Sequence, residues 1–467
     1  MTEGDRAAVA IAAASLLGVA MVTGRQWVGV ALLVPVLALA ALAALGKRDL
    51  RSVRSTRHDR IFVIGFWLGL ALFARALLKA LDVGVPSQAL LVLFGVVVVG
   101  GAAFSVIVQQ RGNRAFLAFL GSYLFVALAI LAITRGDLPN IDVVMFQQDA
   151  SQALSDGVNP YDIRFPDLYS EARSDQFYGP GVSEDGVLQF GYPYLPLSLL
   201  VVAPFELIFG DFRIAHALAL VGAAFVMSRI RPGHGSRSIA VLFLLTSPVL
   251  LIVTFGWIEP LLILGSALVV LAASRQDKAT SYLTGVLLSL KQYVVLLVPV
   301  SLLLLTRPFK FGDVVRHLLR AGLVVVATVL PFFLWNPGEF TWSVVELQFV
   351  QPFRHDSLSF MAAWAAVAGE PAQLVASLVP LLLAGAVSVA ALYRSPTGSQ
   401  GFSLAAGLTF LVSFAFSKQA FPNYYILVMA LLFLGAAAGQ PQESQPSAVK
   451  SDHEPAPANG PRPSTIA

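Results

Sequence analysis

The sequence predicts an all-α polytopic membrane protein, a helical bundle with a large external first loop and re-entrant helices. Three observations carry that prediction. The 467 residues are 57% hydrophobic and 12% charged, with a mean hydropathy of +0.76, far from the balance of a soluble domain. Repeated apolar runs approach the roughly 20 residues that a helix needs to cross a bilayer. Lys and Arg gather in the short connections between those runs, as they do in cytoplasmic loops.

Apolar runs near 7–23, 27–46, 60–81, 88–108 and 115–133 predict five spans, so 1–133 reads as an N-terminal membrane region. No small-residue cleavage pattern follows the first run, which is therefore expected to be a retained helix. Lys47, Arg48, Arg51, Arg54, Arg57 and Arg60 crowd one connection and place it inside. The polar segment 134–191 then lies outside, and 192–438 forms the remaining membrane core.

In that core, Pro193, Pro196 and Pro204 interrupt the run 192–210. Putting Arg229, Arg231 and Arg237 inside requires this run to dip in and return before the span at 213–228. The stretch 281–305 has Arg275 and Lys278 before it and Arg307, Lys310 and Arg316 after it, so it too must go up and return, with Lys291-Gln292-Tyr293 near its tip. Non-helical backbone at that depth is tolerated where it is buried or lines a wet cavity. Spans near 239–256, 258–274, 318–335, 371–393, 401–417 and 424–439, with a re-entrant piece at 357–369, bring the expectation to about twelve full crossings. The tail 439–467, rich in Pro, Ser, Gln and Glu, is expected to be disordered and cytoplasmic.

Composition also excludes functions. The excess of four positive charges is spread over short connections and forms no patch that could track a nucleic-acid backbone. With no cysteine, disulfides, thiolate catalysis and Cys-ligated metals are absent. There is no Gly-rich nucleotide loop and no His-Glu-x-x-His, and Asp142, Asp149, Asp156 and Asp162 are too far apart in sequence for a metal-binding acidic pair. Neither a metal nor a cofactor is called for.

The chemistry is expected in and around 134–191. A helix over 141–154 places Asp142, Phe146, Asp149 and Ala153 on one face, suited to a membrane surface. Asp142 and Asp149 then stand roughly 10 Å apart along the axis, too far to share a proton. Asp142, Asp149, Glu259, Lys291, Arg354, His355 and Lys418 are the charged or titratable groups at membrane depth or on the outer side, where each is costly unless paired or hydrated. Carboxylates facing cations would suit an anionic lipid-linked substrate: the cations neutralise a phosphate and one carboxylate takes a proton from an incoming hydroxyl. Plainer readings exist beside these. Asp142 would then cap a helix, Arg354 and Lys418 would snorkel to headgroups, and Tyr161, Tyr192 and Tyr194 would join an interfacial aromatic belt, while Lys291, costly without an anion, is expected to pair with a phosphate or a carboxylate.

The order of motifs carries a resemblance. Asp142 with Phe146 and Ala150 is followed by Gly157-x-Asn159-Pro160-Tyr161, by Tyr192-Pro-x-x-Pro196 with Pro204 and Gly210-Asp211, and by Gly256-Trp-Ile-Glu259. Then come Leu290-Lys-Gln-Tyr293, Arg354-His-Asp-Ser-Leu-Ser359 and Ser417-Lys-Gln-Ala-Phe-Pro-Asn-Tyr424. Over roughly 134–437 this resembles the GT-C superfamily of integral-membrane glycosyltransferases, most closely the polyprenol-phosphate-mannose-dependent mannosyltransferases of glycosyltransferase family 87. The resemblance implies a GT-C-like bundle in the cell membrane, with its active site on the external or periplasmic side. It implies inverting transfer of one sugar, mannose by default, from a polyprenyl-phosphate donor to a lipid-linked or exported glycan acceptor. By position, Asp142 is the general base. Lys291, Arg354, His355 and Lys418 hold the donor phosphate, His355 doubles as a proton relay, and Glu259, Gln148, Asp149 and Tyr161 contact substrate. The five spans before the acidic loop depart from the simplest members. The competing readings are a flippase or transporter of lipid-linked sugars, and a glycan ligase using a polyprenyl diphosphate.

Overall fold

The computed structural model describes residues 1–23, 25–47, 56–81, 86–136, 138–246 and 248–440. The basic connection 48–55, on which the inside placement rests, and the tail 441–467 lie outside the described residues.

The five N-terminal helices are α1 (Glu3–Val22), α2 (Gln26–Leu45), α3 (Thr56–Ala80), α4 (Pro86–Ile107) and α5 (Asn113–Ile133). A capping box starts α1, with Asp5 N–H donating to Thr2 Oγ1 and Thr2 N–H to Asp5 Oδ2, both at 3.1 Å, which satisfies two otherwise orphaned donors. The polar segment 134–191 contains α6 (Asp142–Ser155), β1 (Phe165–Pro166), α7 (Glu171–Phe177), β2 (Ser183–Glu184) and β3 (Val187–Leu188). Its small antiparallel sheet has the order β1-β3-β2. Asp185 and Gly186, at φ 51° and 75°, make the two-residue hairpin turn that needs positive φ at both positions.

The membrane core follows as α8 (Pro196–Phe209), α9 (Arg213–Ile230), α10 (His234–Leu245), α11 (Pro248–Thr254), α12 (Glu259–Ser274) and α13 (Ala279–Leu288). A 3-10 turn over Gln292–Leu296, α14 (Leu297–Ser301) and a second 3-10 turn precede α15 (Phe311–Trp335), α16 (Pro337–Thr341), a π-helical turn at Trp342–Glu346 and α17 (Leu347–Val350). The chain closes with α18 (Phe360–Ala368), α19 (Gln373–Arg394), α20 (Ser399–Ala415) and α21 (Pro422–Ala438).

Contacts define two ends of the bundle. At one end Ser395 Oγ donates to Ala44 O (2.8 Å), Gly398 N–H to Leu303 O (2.7 Å) and Gln400 Nε2 to Glu3 O (2.9 Å). The polar segment 134–191 occupies the other end. The two ends of α8 both lie there: it packs along α6, and Arg135 Nη2, just beyond α5, donates to Phe209 O at its far end (2.8 Å). Its 14 residues rise about 21 Å, short of a roughly 30 Å hydrocarbon core. The expected dip at 192–210 is thus a helix that does not cross. The stretch 281–305 rises as α13, breaks at Ser289–Lys291 and descends through α14 to Leu303, as the flanking charges predict. His355 on one side of α18 meets Glu370 on the other, so that short helix also returns to the end it left.

Among the described residues, eight helices are long and apolar enough to cross a membrane, or nine if α10 and α11, bent by 56°, form one span. The expectation of about twelve is therefore too high by this measure. The difference lies in α12, α20 and α21, with 16, 17 and 17 residues, which run between the two ends; α20 and α21 are almost wholly buried and α12 mostly so. Helices surrounded by protein do not have to match the full thickness of lipid. The N-terminal hairpin belongs to this interior: α1 packs against both α2 and α21, with Ala10, Ala13, Ala14 and Leu17 inaccessible.

Candidate functional site

Two backbone crossings frame the site. A β-carbon on Gly191 would stand 2.1 Å from Tyr161 O, so only glycine lets the chain leaving the polar segment cross 160–161. There Tyr192 N–H donates to Pro160 O (3.0 Å), Gly191 N–H to Ser343 Oγ (2.9 Å) and Tyr161 Oη to Tyr194 O (2.8 Å). Tyr161 is fully buried, its ring edge-on to Tyr192 and Phe332. It is a strut that fixes Tyr194, fully buried at a position where the sequence suggested a sugar contact or an interfacial aromatic. Gly256, at φ 71°, makes the second turn, in the left-handed region that glycine adopts without strain, and delivers Glu259 to the start of α12.

Glu259 is fully buried and answers Lys291, which the break after α13 carries to the same depth. Lys291 Nζ donates to Glu259 Oε1 at 2.7 Å, and Asn423 Nδ2 donates to the same oxygen at 3.1 Å. The ammonium lies 5.3, 5.1 and 5.2 Å from the ring centroids of Tyr194, Tyr293 and Tyr424, close enough for cation–π attraction. Of the roles open to Lys291, the structure displays carboxylate pairing. Glu259 correspondingly neutralises that lysine.

Asp142 is the first residue of α6, following the N-cap Ile141, where a carboxylate suits the helix dipole. Its Oδ1 accepts from Val143 N–H (2.8 Å) and its Oδ2 from Tyr178 Oη (3.0 Å). Burial raises its pKa above the ordinary carboxylate value, against the opposing hydrogen bond from Tyr178 and the charge of Arg354. Burial and the nearby Asp142 charge push Tyr169 up to about 12 and raise Tyr178 as well. Asp142 is therefore a carboxylate with increased proton affinity, within electrostatic reach of a guanidinium.

Arg354 is stacked 4.1 Å from the centroid of Phe177 and 4.8 Å from that of Phe421. Its Nε and Nη2 donate to Asp356 Oδ1 and Oδ2 at 2.9 and 2.8 Å. A guanidinium has five N–H donors, so this fork leaves an edge available to an anion. Residues 354–358 are zipped to the α20–α21 connection: Arg354 N–H donates to Lys418 O (3.1 Å) and Leu358 N–H to Ala420 O (2.7 Å). Lys418 Nζ donates to Gln351 O (2.6 Å) and Phe349 O (3.2 Å), and burial lowers its pKa to about 8. In this structure it holds backbone carbonyls and not an open anion seat.

The structure thus brings Asp142 and Arg354 together against the end of α7, with Lys291 and Glu259 behind Tyr194 and Tyr424. It does not bring in the rest. His355 Nε2 pairs with Glu370 Oε1 at 2.6 Å, both side chains about half exposed (52% and 54%), so the expected proton relay sits in a solvent-facing pair. Gln148 Nε2 bonds Glu206 Oε1 (3.3 Å), whose Oε2 accepts from Phe212 N–H (2.9 Å), and so ties α6 to the α8–α9 corner. Asp149 is exposed, while Phe146 and Ala153 on the same predicted stripe are buried; Phe146 packs against Phe165 and Phe190. The helix packs that apolar face against the rest of the polar segment.

Sequence reasoning missed Tyr178, Phe177 and Phe421 as site walls, and Asn423 as the second partner of Glu259. Only Asn423 and Phe421 carried a signal, through their motif. Among the described residues, no three His, Cys, Asp or Glu side chains cluster as a metal seat. Compared with family models, curated proteins and solved structures, the chain matches none.

Proposed function

We propose that the chain is a membrane glycosyltransferase of GT-C type, closest to family 87, which transfers one sugar, mannose by default, from a polyprenyl phosphate to a lipid-linked or exported glycan. The observation that carries this reading is the placement of Asp142 and Arg354 against adjacent residues of one wall, Asp142 bonded to Tyr178 and Arg354 stacked on Phe177, because a base of raised proton affinity near an anion-binding edge suits both halves of the transfer. The acceptor O–H proton passes to Asp142 while the acceptor oxygen bonds to the sugar's anomeric carbon. The carbon–oxygen bond to the phosphate breaks on the opposite face, and its electron pair leaves with the polyprenyl phosphate. Arg354 balances the departing charge. A phosphate is a weak base and leaves without a general acid.

The side follows from charge. Arg229, Arg237, Arg275, Lys278, Arg307, Lys310, Arg316 and Arg394 lie toward the end opposite the site, and by the bias of basic loops toward the cytoplasm the site faces outward. The lipid-linked sugar transporter remains the second reading, favoured by Lys291 and Glu259 paired where the re-entrant hairpin breaks, a place that broken transporter helices also use. Purified protein in lipid, supplied with a panel of polyprenyl-phosphate sugars, a diphosphate-linked oligosaccharide and membrane acceptors, separates the readings. A glycosylated acceptor from a monophosphate donor supports the transferase. Product from the diphosphate donor alone identifies a ligase, and lipid translocation without product identifies a transporter.

A further inference from the structure

The segment 351–359 makes one backbone hydrogen bond within itself, from Ser357 N–H to Arg354 O (3.2 Å). Side chains from elsewhere hold its carbonyls. Lys418 Nζ and Gln373 Nε2 both donate to Phe349 O and Gln351 O, and Gln419 Nε2 donates to Pro352 O (3.0 Å). Tyr425 Oη donates to Leu358 O (2.5 Å), and the N-terminal hairpin adds a further clamp: Gln26 Nε2, in the first turn of α2, donates to His355 O at 2.5 Å and to Ser357 O at 2.7 Å. One turn on, α2 lies so close to the segment that a β-carbon on Gly29 would stand 2.7 Å from Leu358 Cδ1.

The two carbonyls that Gln26 holds flank Asp356, the carboxylate that orients Arg354. The Asp356 side chain is 58% exposed, so packing does not hold it; its direction depends on the backbone to either side. We propose that the α1–α2 hairpin is part of the binding machinery, and that Gln26 is a positioning residue which, by fixing the backbone around Asp356, sets the direction in which Arg354 meets an anion. The identity of that anion as a lipid phosphate rests on the glycosyltransferase reading; the positioning itself does not.

The amide of Gln26 gives both N–H groups to the loop, so Gln26→Met removes the donors without adding charge, and Gln26→Arg restores N–H donors. Full-length protein in nanodiscs is probed with farnesyl phosphate, by amide hydrogen exchange across 351–359, and by the KM and kcat of transfer. In Q26M, farnesyl phosphate affinity falls about tenfold, the equivalent of two neutral hydrogen bonds. Exchange at Arg354 and Leu358 quickens, KM moves more than kcat, and the melting temperature holds. Q26R recovers affinity and protection. The proposal is overturned if Q26M binds and exchanges like the wild type, or if Q26R stays as weak as Q26M. It is also overturned if Q26M melts well below the wild type, because the residue then serves the bundle and not the loop. A wild type that binds no farnesyl phosphate removes the glycosyltransferase reading, while the exchange comparison still decides the positioning.

Discussion

Lys291→Met tests whether the buried lysine is neutralised by Glu259 or kept for a substrate phosphate. The pair is nearly inaccessible, with side-chain exposures of 8% and 1%, and Glu259 Oε2 has no hydrogen-bond partner among the described residues. Removing Lys291 leaves a buried carboxylate with the single donor Asn423 among the described residues, and breaking such a pair from one side costs about 3–5 kcal/mol. Loss of the cation–π contacts with Tyr194, Tyr293 and Tyr424 adds about 0.5–2 kcal/mol. Glu259→Gln should destabilise to a similar degree by leaving the ammonium uncompensated. The double variant, carrying no buried charge at this place, should recover much of the loss, with a coupling of about 2 kcal/mol or more. Tryptophan fluorescence during unfolding in detergent gives all four corners of the cycle, and farnesyl phosphate binding by the double variant should survive because Arg354 carries it. Additivity within about 0.5 kcal/mol, or loss of phosphate binding in K291M without loss of stability, would refute the pairing and return Lys291 to the donor phosphate.

Other predictions concern charge and proton transfer. Because burial raises the pKa of Asp142, the basic form is lost as pH falls through a value above the ordinary 3.8, so the acid limb of the transfer rate should lie above that of an exposed carboxylate. The linked stability runs the opposite way: the unfolded chain holds the proton less tightly, so this group's contribution grows as pH drops through the same window. A rate independent of pH there contradicts the assignment. Arg354→Ala should weaken farnesyl phosphate binding about 10- to 100-fold, the loss of hydrogen bonds to a charged group. His355→Ala breaks an exposed pair worth about 0–1 kcal/mol and should leave transfer near the wild-type rate; a large loss in titration or turnover would restore the relay role.

Much of the fold was legible because its signals are local. Prolines at 193, 196 and 204 and basic residues on both flanks of 281–305 were enough to separate returning segments from crossing ones. The number of full-length spans was not, since apolar composition cannot tell a lipid-facing helix such as α15 from the buried, shorter α20 and α21. In the site, Asp142, Lys291 and Arg354 stood out because charge at membrane depth is costly. Their partners did not, because the contacts that satisfy them join residues far apart in sequence: Asn423 reaches Glu259 across 164 positions, and Gln26 reaches Ser357 across 331. The burial of Tyr161 was hidden for a related reason: it depends on the backbone crossing at Gly191, 30 residues on.

The central claim is that Asp142 accepts the acceptor's proton while Arg354 holds the leaving phosphate. Single-turnover transfer by Asp142→Asn, measured beside farnesyl phosphate binding in the same nanodisc sample, tests it most directly. Asparagine keeps its oxygen for Val143 N–H and turns its amide N–H toward Tyr178 Oη, which then accepts, but it cannot serve as the base, so transfer should fall by about 10²–10⁴-fold while phosphate binding and the melting temperature are retained. Transfer near the wild-type rate, or binding lost together with transfer, would contradict it.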